Sequence, residues 1–284
     1  VYRNNEILTA MVEIAHFGNA PLNNAKVIWR IRDSYGLVLS KGILSECNIP
    51  IGANFEVGKI ETSLAVFDKP VKINLEISIE GTEFVNDWDF WVYPAKKETI
   101  SGEENIRVVQ KLDAQTAQFL KNGGSVLLNL KKGTLPKEMG GDIKIGFSSI
   151  FWNTAWTSGQ APHTLGILVN PNHPALAEFP TEYHSNYQWW DAMSHSGAIN
   201  LTSFPTELKP IVRVIDDWVT NRPLALVFEA KVGKGKILIS GIDLTLDMDK
   251  RPEAQQLLFS LKKYMAGGKF VPKVEIEVEQ IKKL

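Results

Sequence analysis

Over the first 94 residues, apolar and polar positions alternate with a period of two. Leu8, Ala10, Val12 and Ile14 are spaced this way, and Val27, Trp29 and Ile31 share one face of a second run. Phe55–Ile60, Val71–Ile79 and Trp88–Tyr93 repeat the pattern. A period of two is the signature of a strand with one face on a core. Turn-forming clusters at Gly18–Asn24, Asp33–Gly36 and Ile49–Gly52 interrupt it. About seven short strands at this spacing predict an all-β, immunoglobulin-like sandwich over residues 1–96.

The pattern changes after a polar linker at 97–104. Ile106–Val109 reads as a short strand. Asp113 is a good N-cap for a helix carrying Ala114, Ala117, Phe119 and Leu120, stopped by Asn122-Gly123-Gly124. Ser125–Leu130 follows as a buried-type strand, and this strand–helix–strand unit predicts a parallel, doubly wound α/β domain over 105–272. Leu165–Val169 and Ile211–Ile215 are further strand candidates. Leu224–Ala230 and Lys236–Ser240 flank Val232–Gly235 as a hairpin. Pro252–Met265 reads as a helix with Pro near its start and Gly267-Gly268 as its stop. The tail, 273–284, alternates like an edge strand or is a free end.

Composition narrows the function. A chain of 284 residues, 44% hydrophobic and 22% charged, has the size and balance of two globular domains. Lys plus Arg is 31 against 32 Asp plus Glu, a net charge of −1, which excludes the basic field that nucleic-acid binding needs. No apolar run approaches the roughly 20 residues of a membrane span. The single Cys47 excludes an internal disulfide, a CxxC pair and a cysteine-rich zinc site. Val1–Glu6 is not a signal peptide, and the missing initiator Met fits a chain cut from a longer precursor. The eight tryptophans include three close pairs: Trp88/Trp91, Trp152/Trp156 and Trp189/Trp190. They read either as core or as a stacking surface.

Two stretches carry a family resemblance. Asn86–Pro94 closing a sandwich, with Val27–Arg32, Asp33–Gly36, Ile49-Pro50 and Lys59-Ile60, resembles the accessory β-domains of glycoside hydrolase family 2, the β-galactosidase/β-glucuronidase group. Phe151-Trp152-Asn153, His173–Leu176, Phe179–Asp191, Ile215–Trp218 and Phe228–Gly235 are similar to the C-terminal region of large family 2-type proteins from gut-type bacteria. That region resembles the class I glutamine-amidotransferase-like fold. The resemblance implies an all-β immunoglobulin-like sandwich followed by an α/β flavodoxin/amidotransferase-like three-layer domain. It also implies a periplasmic or cell-surface location. Family 2 enzymes hydrolyse β-glycosides with two glutamates on a (β/α)8 barrel of about 250 residues. No eightfold alternation fits here, and no residue matches either glutamate. The implied role is therefore a non-catalytic C-terminal portion whose partners are the parent protein's catalytic barrel, an oligosaccharide or a second copy of the chain.

The residues bear on chemistry in the same way. Amidotransferase activity needs a thiolate beside a His, and the second domain has no cysteine; Cys47 reads as a packing residue. No nucleophile elbow is present, and Ser194-His195-Ser196-Gly197 has its ingredients in the wrong order. Val232–Lys236 lacks P-loop spacing. His163, His173, His184 and His195 match no compact zinc motif, although His184, Asp191 and His195 are placed to converge; neither metal nor cofactor is expected. Glycosidase chemistry needs two carboxyls about 5–10 Å apart, for which Glu182 and Asp191 are the candidates. The densest patch is 151–191. Trp152, Trp156, Trp189 and Trp190 there offer flat faces to a sugar ring, and Asn153, His184, Gln188 and Asp191 offer bonds to its hydroxyls. Three readings follow: a family 2-type accessory portion, an autonomous carbohydrate-binding module built on those loops, or a carboxylate-dependent hydrolase.

Overall fold

The computed structural model describes residues 1–147 and 163–284. The chain is mostly β with few helices, and it forms two compact units, Val1–Lys97 and Glu98–Leu284.

The N-terminal unit contains β1 (Tyr2–Arg3), β2 (Ile7–His16), β3 (Leu22–Ala25), β4 (Val27–Asp33), β5 (Val38–Ile43), β6 (Cys47–Ile49), β7 (Gly52–Ser63), β8 (Val71–Ile79) and β9 (Val85–Tyr93). A five-stranded sheet runs β1-β9-β8-β4-β5; β2 pairs with β7, and β3 with β6. The alternation seen in the sequence sets the inward faces. Ile73, Leu75, Ile77 and Ile79 of β8 meet Leu8 and Val12 of β2, Val27 and Ile31 of β4, Ile60 of β7 and Phe90 of β9 in one core. Cys47 packs partly buried against that core.

The C-terminal unit contains β10 (Ile106–Val109), α1 (Ala114–Lys121), β11 (Ser125–Asn129), β12 (Ile167–Val169), α2 (Tyr187–Ser194), β13 (Ile199–Asn200), β14 (Val212–Val214), β15 (Leu224–Val232), β16 (Gly235–Ser240), α3 (Pro252–Ala266) and α4 (Val278–Ile281). Its seven-stranded sheet has the order β10-β11-β16-β15-β14-β12, with β13 on β15. Asp113 caps α1 as expected, its carboxylate accepting the Thr116 N–H at 2.7 Å. Ala117 and Leu120 of α1 join Val126, Leu128, Phe228, Ile237 and Ile239 in one core. The alternate strand positions face the other way. Among them is Glu229, which accepts a hydrogen bond from the Tyr264 hydroxyl of α3 at 2.6 Å. Helices α1 and α3 therefore cover opposite faces of the sheet.

Two expectations change. The sheet is mixed, not parallel throughout: β10, β11 and β16 run parallel, whereas β12, β14, β15 and β16 pair antiparallel. The hairpin at Val232–Gly235 reverses the chain, and a two-residue turn joins only antiparallel strands. The tail is neither a free end nor a strand along its length. It touches β15 through a single bridge, Lys231 to Glu275, and then forms α4, with Ile276, Val278 and Ile281 buried.

Candidate functional site

Strand directions pick out one edge of the C-terminal sheet. β14 is antiparallel to β15, which is antiparallel to β16, so β14 ends at the same edge as β10, β11 and β16. In open α/β sheets, ligands gather outside the carboxyl ends of the strands. The loops after β14 and β16 leave from this edge, and the end of α2 is tied to the second of them, where the Asp243 N–H donates to His195 O at 2.9 Å.

Helix α2 starts at Asn186, whose side-chain oxygen accepts the Gln188 N–H at 3.1 Å. The preceding chain is joined to β12, with the Val169 N–H donating to Tyr183 O at 2.9 Å and Leu168 bridging His184. Gly166, at the start of β12, lies so close that a Cβ there would stand 2.6 Å from Ser185 Oγ and 2.9 Å from Phe147 O. Its φ of +107° also suits glycine alone.

The helix has two unlike faces. Trp189 is 0% exposed. Its Nε1 donates to Thr181 Oγ1 at 2.7 Å, and its ring meets Phe179 edge-on at 5.2 Å. Gln188 is buried as well and donates to Pro180 O at 2.8 Å. As ligand contacts, Trp189 and Gln188 are corrected: both are core. Tyr187 and Trp190, three residues apart and so on one face, are 79% and 56% exposed. Trp190 rests edge-on against Phe147 at 5.3 Å. Near them, Asn186 Nδ2 donates to Glu182 Oε2 at 2.9 Å, and His184 Nε2 lies 3.9 Å from the same oxygen.

Asp191 faces inward. The Arg251 Nε stands 2.9 Å from both of its carboxylate oxygens, and Nη2 stands 2.8 Å from Oδ2. Arg251, 4% exposed, also donates through Nη1 to the carbonyls of Asp243 and Leu246, each at 2.8 Å. The His195 Nδ1–H donates to Asp191 O at 2.8 Å, which fixes the tautomer because a carbonyl only accepts. Asp191 is thus a tie between α2 and the start of α3. Glu182 accepts from Asn186, and Asp191 is occupied by a guanidinium, so the two carboxyls are held by separate partners. His184, Asp191 and His195 do not converge, since His184 turns to Glu182. Among the described residues, no three His, Cys, Asp or Glu side chains are arranged to hold a metal ion. Trp152, Asn153 and Trp156 lie outside the described residues.

The loop after β14 is pinned from within. The Arg222 Nε and Nη2 donate to the two oxygens of buried Asp216, each at 2.8 Å. Asp217 accepts the N–H groups of Val219 and Thr220, each at 2.8 Å. Burial pushes the Asp216 carboxyl up. The Arg222 fork and the backbone N–H groups of Arg222 and Asp217 outweigh it and hold the group below the ordinary carboxylate range. The loop presents Trp218, 63% exposed. Tyr187 lies within the aromatic patch 151–191, whereas Trp218 and Arg251 are not among the candidate binding residues of the sequence. Nothing in the sequence marks Arg251, whose partner lies 60 positions away.

No helix among the described residues is long and apolar enough to cross a membrane. The chain belongs to the family described as Domain of unknown function (DUF8487), whose pattern matches residues 107–284; a second family, Domain of unknown function (DUF8488), matches residues 6–94. No curated protein matches the sequence. Among solved structures, the chain is similar to a family 123 glycoside hydrolase from Clostridium perfringens, with 11% identity and a TM-score of 0.25, covering 49% of this chain and 35% of that one. It is also similar to the Parabacteroides merdae β-glucuronidase, with 11% identity and a TM-score of 0.20, covering 43% of this chain and 21% of that one. The chain thus spans about a third and a fifth of the length of those proteins.

Proposed function

We propose that the chain is the non-catalytic C-terminal portion of a family 2-type glycoside hydrolase, and that its Tyr187/Trp190 face contacts carbohydrate. The observation that carries this reading is the division of α2. Two aromatic rings stand exposed on one face beside the Glu182, His184 and Asn186 side chains, while the one carboxylate on the helix is occupied by Arg251. Flat rings cover the C–H faces of a sugar, and amide and carboxylate groups bond its rim. An amidotransferase-like assignment of the C-terminal unit belongs to the same reading. The parallel β10-α1-β11 crossover beside β16, with helices on both faces, supports it. The Asp191–Arg251 tie speaks against the carboxylate hydrolase.

The test is a tryptophan-fluorescence titration with a panel of β-linked oligosaccharides, run alongside a turnover assay on aryl β-glycosides. The expected result is a saturable change with at least one oligosaccharide, abolished by Trp190→Ala, and no turnover. A flat response across the panel would remove the carbohydrate contact. Turnover by the isolated chain would remove the accessory role.

A further inference from the structure

The N-terminal unit carries a cavity of about 810 Å³ that the proposed function does not use. It is lined by β2, β8 and β9, and its floor is the sandwich core itself: Leu8, Val12, Ile77 and Phe90 belong to both. The way β2 lines it is informative. A groove over one face of a strand touches alternate residues, yet every residue from Ala10 to Ala15 lines this one, together with Leu8. The groove therefore runs along the backbone edge of β2, beside both rows of its side chains.

That edge is unpaired among the described residues. β2 bonds β7 on one side and no strand on the other. Across the groove, β9 bonds β8, and β1 meets it only at Val92 and Tyr93, which leaves Val85–Phe90 with an open edge as well. Exposed strand edges are normally blunted by Lys, Pro or a bulge. Leu8–Ala15 has no Lys and no Pro, and its one charge is Glu13; its pairing with β7 shifts register after Val12 and after Ile14, with the extra residue on β7 each time. The groove's own lining includes the exposed apolar side chains Met11, Phe84, Val85 and Trp88, a patch of the kind that marks an interaction site.

We propose that this groove receives an extended segment of a partner polypeptide, which adds as a strand to the open edge of β2 or β9. Its inward side chains would be apolar and one of them flanked by a Lys or Arg. The open N–H and C=O groups select an extended backbone over a small apolar molecule, because a strand replaces the hydrogen bonds of the water it displaces and an apolar molecule does not. Glu13 is the only charged side chain lining the groove, and it selects a cation on the incoming segment.

The test uses the full chain and two capped peptides of about ten residues, the length that matches β2. One alternates valine with threonine and lysine; the other carries glutamate in place of lysine. Amide hydrogen exchange is followed in β2, in Val85–Phe90, and in α3 as a reference. The lysine peptide is expected to slow exchange along one of the two open edges by about tenfold or more, with α3 unchanged. Ala10→Trp fills the groove and should abolish the effect, with unchanged exchange in β4 and β8 showing that the sandwich is folded. Glu13→Lys keeps the groove and should transfer the preference to the glutamate peptide. Equal protection by both peptides, protection confined to the C-terminal unit, or none at all would overturn the proposal. So would a dimer in sedimentation that Ala10→Trp converts to monomer, which would assign the groove to a second copy. None of these readouts depends on the carbohydrate titration, so the two proposals fail separately.

Discussion

Trp189 and Trp190 are neighbours in sequence and opposites in the fold. Trp189 is enclosed, hydrogen-bonded through its indole N–H and stacked edge-on against Phe179. Trp190 lies on the surface with Tyr187. Adjacent helical positions point about 100° apart, so one turn of α2 separates a structural face from a presenting face. The inner face is completed by the Asp191–Arg251 pair, and beside the outer one Asn186 donates to Glu182. An aromatic pair in a sequence is thus not evidence of a two-ring platform; on a helix, rings three or four apart form one.

The comparison breaks most visibly at the inner face. Trp189→Ala should destabilise the C-terminal unit by about 3–5 kcal/mol, since it opens a cavity and removes the indole hydrogen bond to Thr181. Denaturant unfolding followed on that unit checks it. Arg251→Met should cost about 3–5 kcal/mol, because it strands the Asp191 carboxylate among buried groups. Asp191→Asn in the same background should recover part of the loss, and a double-mutant cycle measures how much.

A smaller loss is expected at the pinned loop. Asp216→Ala removes the partner of a partly exposed Arg222, and about 2 kcal/mol is expected. The same change should increase proteolysis around Trp218 if the pair is what holds the loop.

The sheet beneath supplies a pH test. Burial pushes the Glu229 carboxyl up, against the pull of the Tyr264 hydroxyl and Lys236. A raised carboxyl favours the protonated folded state. Its contribution is therefore complete below the ordinary carboxylate pKa of about 4.3 and is lost as pH rises through the folded value. Relative to wild type, Glu229→Gln should gain stability as pH rises above that range. Thermal melts across pH report it, and parallel curves for the two proteins would contradict it.

The smallest effect is expected on the outer face. Trp190→Ala should change stability by no more than about 0.5 kcal/mol, as for an exposed position.

Much of the fold is legible because it rests on local pattern. The strands at Leu8–Ile14, Val27–Arg32 and Val71–Ile79 appear where alternation places them. So do the Asp113-capped helix and the 252–266 helix. The sheet's mixed direction is not local. It follows from which strands pair, and β14 is a three-residue strand whose partner is set by distant contacts. Helix α2 is only eight residues long and carries exposed Tyr187 and Trp190 beside buried Trp189, Ala192 and Met193, so its aromatic run does not say which rings face inward. The aromatic richness of 151–191 is legible in the sequence, but the division within it is not: burial separates Trp189 from Trp190, and the Asp191 contact depends on an arginine after the last strand. The groove along β2 leaves no mark in the sequence beyond an edge strand without Lys or Pro.

The most direct test of the central claim is isothermal titration of the chain and of its Trp190→Ala variant with whichever β-linked oligosaccharide gives the largest fluorescence change. The account predicts one saturable site in the wild type, lost in the variant, with unchanged thermal unfolding showing that Trp189 and the inner face are intact. Undiminished binding by the folded variant would place the ligand elsewhere and contradict the assignment of the outer face of α2.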